Sequence, residues 1–107
     1  MKTELAKIYG IEPINENLYK IALTHPSYIQ EKELPHTMCY ERLEFLGDAV
    51  LKLTISEVLY KMFPNSTEGE LSKIRGIVVS DNTLAKISKK LGLQNYIIFN
   101  KHEKNNI

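Results

Sequence analysis

The chain has 107 residues, 43% hydrophobic and 25% charged, with a net charge of +1 when the histidines are neutral. That allows one domain with a modest core, because a chain this small buries only roughly two-thirds of its unfolded surface. Near-balanced charge excludes broad electrostatic attraction to a polyanion, which would need a local patch or a metal ion. The single cysteine, Cys39, excludes a disulfide framework and a cysteine-based zinc site.

The opening "MKTELAKIYG" carries an acid and no apolar h-region, so it does not read as a signal peptide. Within it, "TELAKIYG" reads as a short helix stopped by Gly10. No apolar run approaches the ~20 residues of a membrane span. With the lone cysteine, this leads to the expectation of a soluble, cytoplasmic protein. Asn15 or Asn17 can cap a second helix over "ENLYKIAL", with Leu18, Ile21 and Ala22 on one face. "THPSY" breaks it, because Pro26 disfavours helical geometry at His25. "QEKELPHT" reads as a polar loop around Pro35.

The longest helical pattern runs from about Met38 to Phe63 and is ended by Pro64. Thr67-x-x-Glu70 is a capping-box signature opening a helix through about Val79. In "SDNTLAKISKKLGL", Ser80 or Asp81 caps another helix, with Lys89 and Lys90 in its last turn and Gly92 just past its end. "NYIIF" suits helix or strand equally, and the tail "NKHEKNNI" is polar. The pattern predicts an all-α chain forming a single domain over residues 1–107.

At ~100° per residue, Glu41, Glu44 and Asp48 fall within an arc of ~60° on the long helix. Leu43, Phe45, Leu46, Ala49, Val50 and Leu53 fill the other directions, the pattern of a central, buried helix. Past Asp48 the same stripe meets Leu51, Ile55, Leu59 and Met62, interrupted by Lys52. The expectation is that the acids mark a local pocket. Three like charges within two turns repel, so something must offset them. Arg42 and Lys52 are candidates for an ion-pair network. A divalent cation is the other: Glu44 and Asp48, four residues apart, can jointly reach one ion, and oxygen donors select Mg²⁺ or Mn²⁺ over zinc. Such ions recruit phosphate oxygens, which points to a phosphodiester substrate.

"ERLEFLGDAVL" resembles the signature of the ribonuclease III family almost residue for residue. "ALTHPSY", "FPNSTEGELSKIR" and "VSDNTLAKISKKLGL" resemble three further stretches of that family, in the same order, so that the likeness covers essentially residues 15–95. The resemblance implies an all-α endonuclease domain that cleaves double-stranded RNA with Mg²⁺ as a homodimer, leaving 5′-phosphate and 3′-hydroxyl ends. It implies Glu44 as a metal ligand and Asp48 as the ligand and catalytic carboxylate nearest the reaction. Glu41 and Glu68 match two further acids lining the cleft, which position RNA or water. Phe45 matches an aromatic that plugs into a cavity of the partner subunit, although a plain core phenylalanine reads equally well. In-line attack by water on phosphorus, with a metal ion neutralising the phosphate oxygens, is the chemistry such acids serve.

The likeness stops before the family's second acidic motif, a D-x-x-E in a stretch resembling "ADxxEAxxGAxYLD". Glu103 is the only acid in the tail and its neighbours do not match. Nor does any stretch of these residues match the downstream double-stranded-RNA-binding domain that most bacterial members of that family carry. The expectation is therefore a fragment of a longer enzyme, lacking the C-terminal helices of its domain and nearly inactive alone. Its uncovered apolar helix faces should be prone to association. The rival reading is an inactive module binding structured RNA or a protein partner, and a third is a bare helical scaffold or metal domain. His25 reads as a packing residue, and His36 and His102 lack ligand partners. Lys73 and Arg75 are weak candidates for touching RNA. Lys86, Lys89 and Lys90 are further ones, against the blander reading of a solvated helix face.

Overall fold

Asn15 Oδ1 accepts from the Leu18 amide at 3.2 Å and so opens the first helix, α1 (Glu16–Ala22). This is the cap the sequence offered. A computed structural model describes residue 10 and residues 14–100, so the expected helix over "TELAKIYG" and the tail histidine and acid lie outside the described residues. After α1 the chain does break at "THPSY", but a second short helix, α2 (Pro26–Glu31), begins at the proline itself. Proline suits the first helical position, where its missing N–H costs nothing, and His25 Nδ1 caps the turn by accepting from the Ser27 amide at 3.0 Å. The expected polar loop is a turn at Lys32–Glu33 followed by a short 3₁₀ turn, His36–Met38.

Three longer helices follow: α3 (Glu41–Met62), α4 (Glu68–Val78) and α5 (Asp81–Leu91). The Thr67/Glu70 capping box forms reciprocally, with Thr67 Oγ1 accepting from the Glu70 amide and Glu70 Oε1 from the Thr67 amide. Ser80, rather than Asp81, caps α5. Gly92 ends it at φ +71°, a left-handed conformation that glycine adopts without strain. "NYIIF" resolves into the end of a 3₁₀ turn, Leu93–Asn95, and a single parallel bridge between Ile98 and Thr24.

That bridge makes "LTHPSY" the knot of the fold. His25 N donates to Ile98 O at 2.9 Å, Ile98 N to Leu23 O at 2.8 Å, and Tyr40 N to Thr24 O at 3.0 Å. Asn100 N donates to Ser27 Oγ at 3.1 Å. The His25 ring lies 4.9 Å from Phe99 and edge-on to Tyr40 at 5.9 Å, as a packing role requires. Thr24, Ser27, Ile29 and Cys39 are buried here, and Leu59 is buried where α3 meets α4.

The long helix departs from expectation. It is central in the sense that α1 packs on one part and α4 on another, yet it is not enclosed. Phe45, Leu46, Val50, Leu53, Val58, Tyr60 and Met62 are all exposed, so the all-round apolar pattern reports surface left open rather than a buried rod. The anticipated uncovered apolar faces are present.

Candidate metal centre

Glu41, Glu44 and Asp48 lie in the first turns of α3, on one arc, as the wheel requires. All three are exposed, which corrects the expectation of an enclosed pocket. The stripe does change character where expected. Leu51 and Ile55 are half-buried and Leu59 is buried, because α4 covers that half of the helix, although Met62 at the far end is exposed. The acids occupy the same side of α3 above the point where this cover stops.

Water screens their mutual repulsion, and two further effects reduce it. The free N–H groups at a helix start favour anions by about 0.3–1 kcal/mol each, which suits Glu41 and Glu44 in the first turn. Lys52 Nζ stands 3.1 Å from Asp48 Oδ2, with both side chains more than half exposed. An ion pair that open is worth at most about 1 kcal/mol. The bland explanation of the acid cluster is therefore partly realised, and Asp48 is held only by a weak surface pair.

Glu44 shares a shallow pocket of about 310 Å³ with Ala22, Tyr40 and Leu43. Burial, with the Glu44 and Glu41 carboxylates nearby, pushes the Tyr40 phenol above its ordinary pKa. Sequence reasoning gives Tyr40 no role. Its signal is its place one helical turn before Glu44, at the N-cap of the signature helix.

Glu68 is not drawn to the other three acids within the described residues. It opens α4 and lines a groove of about 570 Å³ with Leu59, Phe63, Leu71 and Arg75. The α3 part of that groove begins at Ser56, about 12 Å along the helix from Asp48. Arg75 is half-buried, and its Nη1 donates to Ser56 Oγ at 2.7 Å, tying α4 to α3. Its reading as an RNA contact is thus weakened by a structural job, whereas Lys73 is exposed. Phe45 is 84% exposed, so it is not a core residue of the described fold. It lines a cleft of about 680 Å³ with Leu18, Ile21, Leu43 and Leu46. Cys39 is buried and its thiol donates to His36 O, so it is a packing residue.

Among the described residues no three His, Cys, Asp or Glu side chains gather closely enough to hold a metal ion. Magnesium, however, commonly takes only one or two carboxylates and completes its shell with water and substrate phosphates. Glu44 and Asp48 fit that partial role, and their oxygen donors favour such a hard ion over zinc.

The described residues form an all-helical domain. The ribonuclease III nuclease domain of Campylobacter jejuni superposes with a TM-score of 0.84 at 39% identity, covering 96% of this chain and 68% of that one. That structure is described as showing flexibility in a region involved in dimer formation. A second structure of that domain gives 0.83 at 38% identity. The family model described as ribonuclease-III-like matches residues 15–106, and the chain belongs to that family. It is 45% identical over 103 residues to ribonuclease 3 of Enterococcus faecalis and 46% identical over 95 residues to that of Rickettsia felis. These matches cover 96% and 89% of the chain but only 45% and 42% of the relatives, so the chain spans less than half their length.

Proposed function

We propose that this chain supplies the signature half of a Mg²⁺-dependent endonuclease that cleaves double-stranded RNA, working as a homodimer in the cytoplasm. The supporting observation is the run Glu41–Leu51, which sets Glu44 and Asp48 one turn apart on an open arc of α3, in a chain that belongs to the ribonuclease-III-like family. When bound, Mg²⁺, or Mn²⁺ in its place, offsets charge on the scissile phosphate and lowers the pKa of water for attack. Asp48 and Glu44 offer the oxygen donors. Asp48 is free to do so because a screened surface pair with Lys52 gives way at little cost. Glu41, on the same arc, orients water or RNA. Glu68 serves a neighbouring part of the RNA path, consistent with its own groove.

Two carboxylates make half a site, so the remaining acids come from outside the described residues, and these 107 residues alone are nearly inactive. The exposed Phe45 and its apolar neighbours are the face by which two copies pair. The test is cleavage of a long RNA duplex by the full-length gene product in Mg²⁺. Asp48→Asn and Glu44→Gln are each expected to slow it at least a hundredfold, about 2.7 kcal/mol of barrier. Cleavage that survives Asp48→Asn would remove Asp48 from the mechanism.

A further inference from the structure

A second charged surface, which the carboxylate arc does not use, lies on α5. Its residues Asp81–Leu91 carry Lys86, Lys89 and Lys90 against one acid, Asp81, a surplus of two positive charges. The whole chain has a net charge of +1, so everything outside α5 sums to −1. The basic excess is therefore concentrated on one helix rather than spread over the surface.

Two features separate this face from an ordinary solvated one. Lys86 sits three and four residues before Lys89 and Lys90, and like charges at those spacings oppose helix formation. From the last acid of its carboxylate arc onward, the long helix sets opposite charges at the same spacing: Asp48 with Lys52, and Glu57 with Lys61 at 3.0 Å. On α5 no described acid pairs with any of the three lysines. The helix C-terminus accounts for Lys89 and Lys90 in the last turn, but not for Lys86. All three are exposed and share one open face of α5 with Thr83 and Ile87. No carboxylate shares it. The lysines span about 6 Å of helix.

We infer that Lys86, Lys89 and Lys90 form a contact for the sugar–phosphate backbone of double-stranded RNA, separate from the carboxylates of α3. The occupant follows from charge complementarity: an array of mobile ammonium groups without acids suits a row of phosphates and carries no base specificity. The inference rests on the proposed RNA substrate, but it concerns binding and is read without cleavage.

The experiment measures affinity of the full chain for a 25-base-pair RNA duplex by fluorescence anisotropy, in EDTA, across a salt series. Without divalent ions the α3 acids add nothing, so failure of the catalytic reading leaves this readout intact. Lys86→Gln/Lys89→Gln/Lys90→Gln is expected to weaken binding at least tenfold. The slope of log K against log salt should flatten by between about two and three, near 0.9 for each phosphate no longer neutralised. Replacing the same three lysines by arginine should retain both. Unchanged affinity and slope in the glutamine variant would overturn the inference, as would absence of duplex binding by the unaltered chain. Displacement of the RNA by polyglutamate at equal charge concentration would assign the face to an acidic protein instead and overturn it too.

Discussion

Replacing Ser56 with alanine removes the hydroxyl that receives Arg75 Nη1 at 2.7 Å, the side-chain hydrogen bond joining α4 to α3. A hydrogen bond to a charged group contributes about 1.5–3 kcal/mol, and the half-exposed guanidinium puts this one at the lower end. Alanine returns up to about 0.5 kcal/mol, because it favours the helix more than serine does. Ser56 Oγ also donates to Lys52 O at 2.6 Å, a bond whose carbonyl keeps access to water after the change. The net loss is about 1 kcal/mol, which lowers the melting temperature of a domain this size by roughly 4–8 °C. Urea unfolding followed by circular dichroism should show it. A double-mutant cycle with Arg75→Met should give a coupling energy of about 1 kcal/mol, well above the ~0.5 kcal/mol scatter of independent sites. Coupling within that scatter would refute the structural role of Arg75 and restore it as a candidate for touching RNA.

Leu59→Ala, at the buried seam of α3 and α4, should cost about 2–3 kcal/mol in urea unfolding, the low end for a core leucine because the adjoining groove lets neighbours close in. Leu53 is 71% exposed, so Leu53→Lys should change stability by less than about 0.5 kcal/mol while reducing self-association in sedimentation velocity. Tyr40 has a folded pKa above its unfolded value near 10, so stability is full below that pH and falls as pH rises through the folded pKa. Ultraviolet titration should show a tyrosine ionising above the ordinary phenol range, and Tyr40→Phe should remove that step. The carboxyl of Glu70 is held below its ordinary value by the Thr67 amide and hydroxyl. Its contribution is present above the unfolded pKa and lost as pH falls through the folded one, so Glu70→Gln should flatten the acid limb of the stability curve.

Helix positions are legible wherever a residue has one physical reason to be where it is. Thr67 and Glu70 satisfy each other's amides, Gly92 takes a left-handed φ, and Pro64 follows the long helix, and each mark falls within a few residues of the observed end. The helix α2 escapes the sequence pattern because Pro26 has two opposed meanings, a breaker of the helix before it and a good first residue of the helix it opens. The parallel bridge of Ile98 with Thr24 joins residues far apart in sequence, and no local pattern encodes such a pairing. At the site, the common arc of Glu41, Glu44 and Asp48 follows from helical periodicity alone. Their exposure does not, because hydropathy shows which faces could be covered and not whether a cover is present. Leu46, Val50 and Leu53 are apolar and exposed for the same reason.

The openness of α3 alters what holds the acid cluster in place. Enclosed carboxylates would need an ion or a cation to be tolerated, and folding would then depend on that partner. Here the three acids face water, where solvent offsets their repulsion, helped by the helix start at Glu41 and Glu44 and by Lys52 at Asp48. The cluster is therefore stable without metal, and selection of an ion must come from geometry rather than from relief of strain. A pair of exposed carboxylates one turn apart supplies direction and charge but few fixed donors, so any ion they hold keeps most of its water. That water is what a phosphodiester can replace. On the proposed reading, the same openness that would make these two carboxylates weak metal ligands would make a bound ion receptive to a phosphate, and tighter binding would need further donors on the open side of α3.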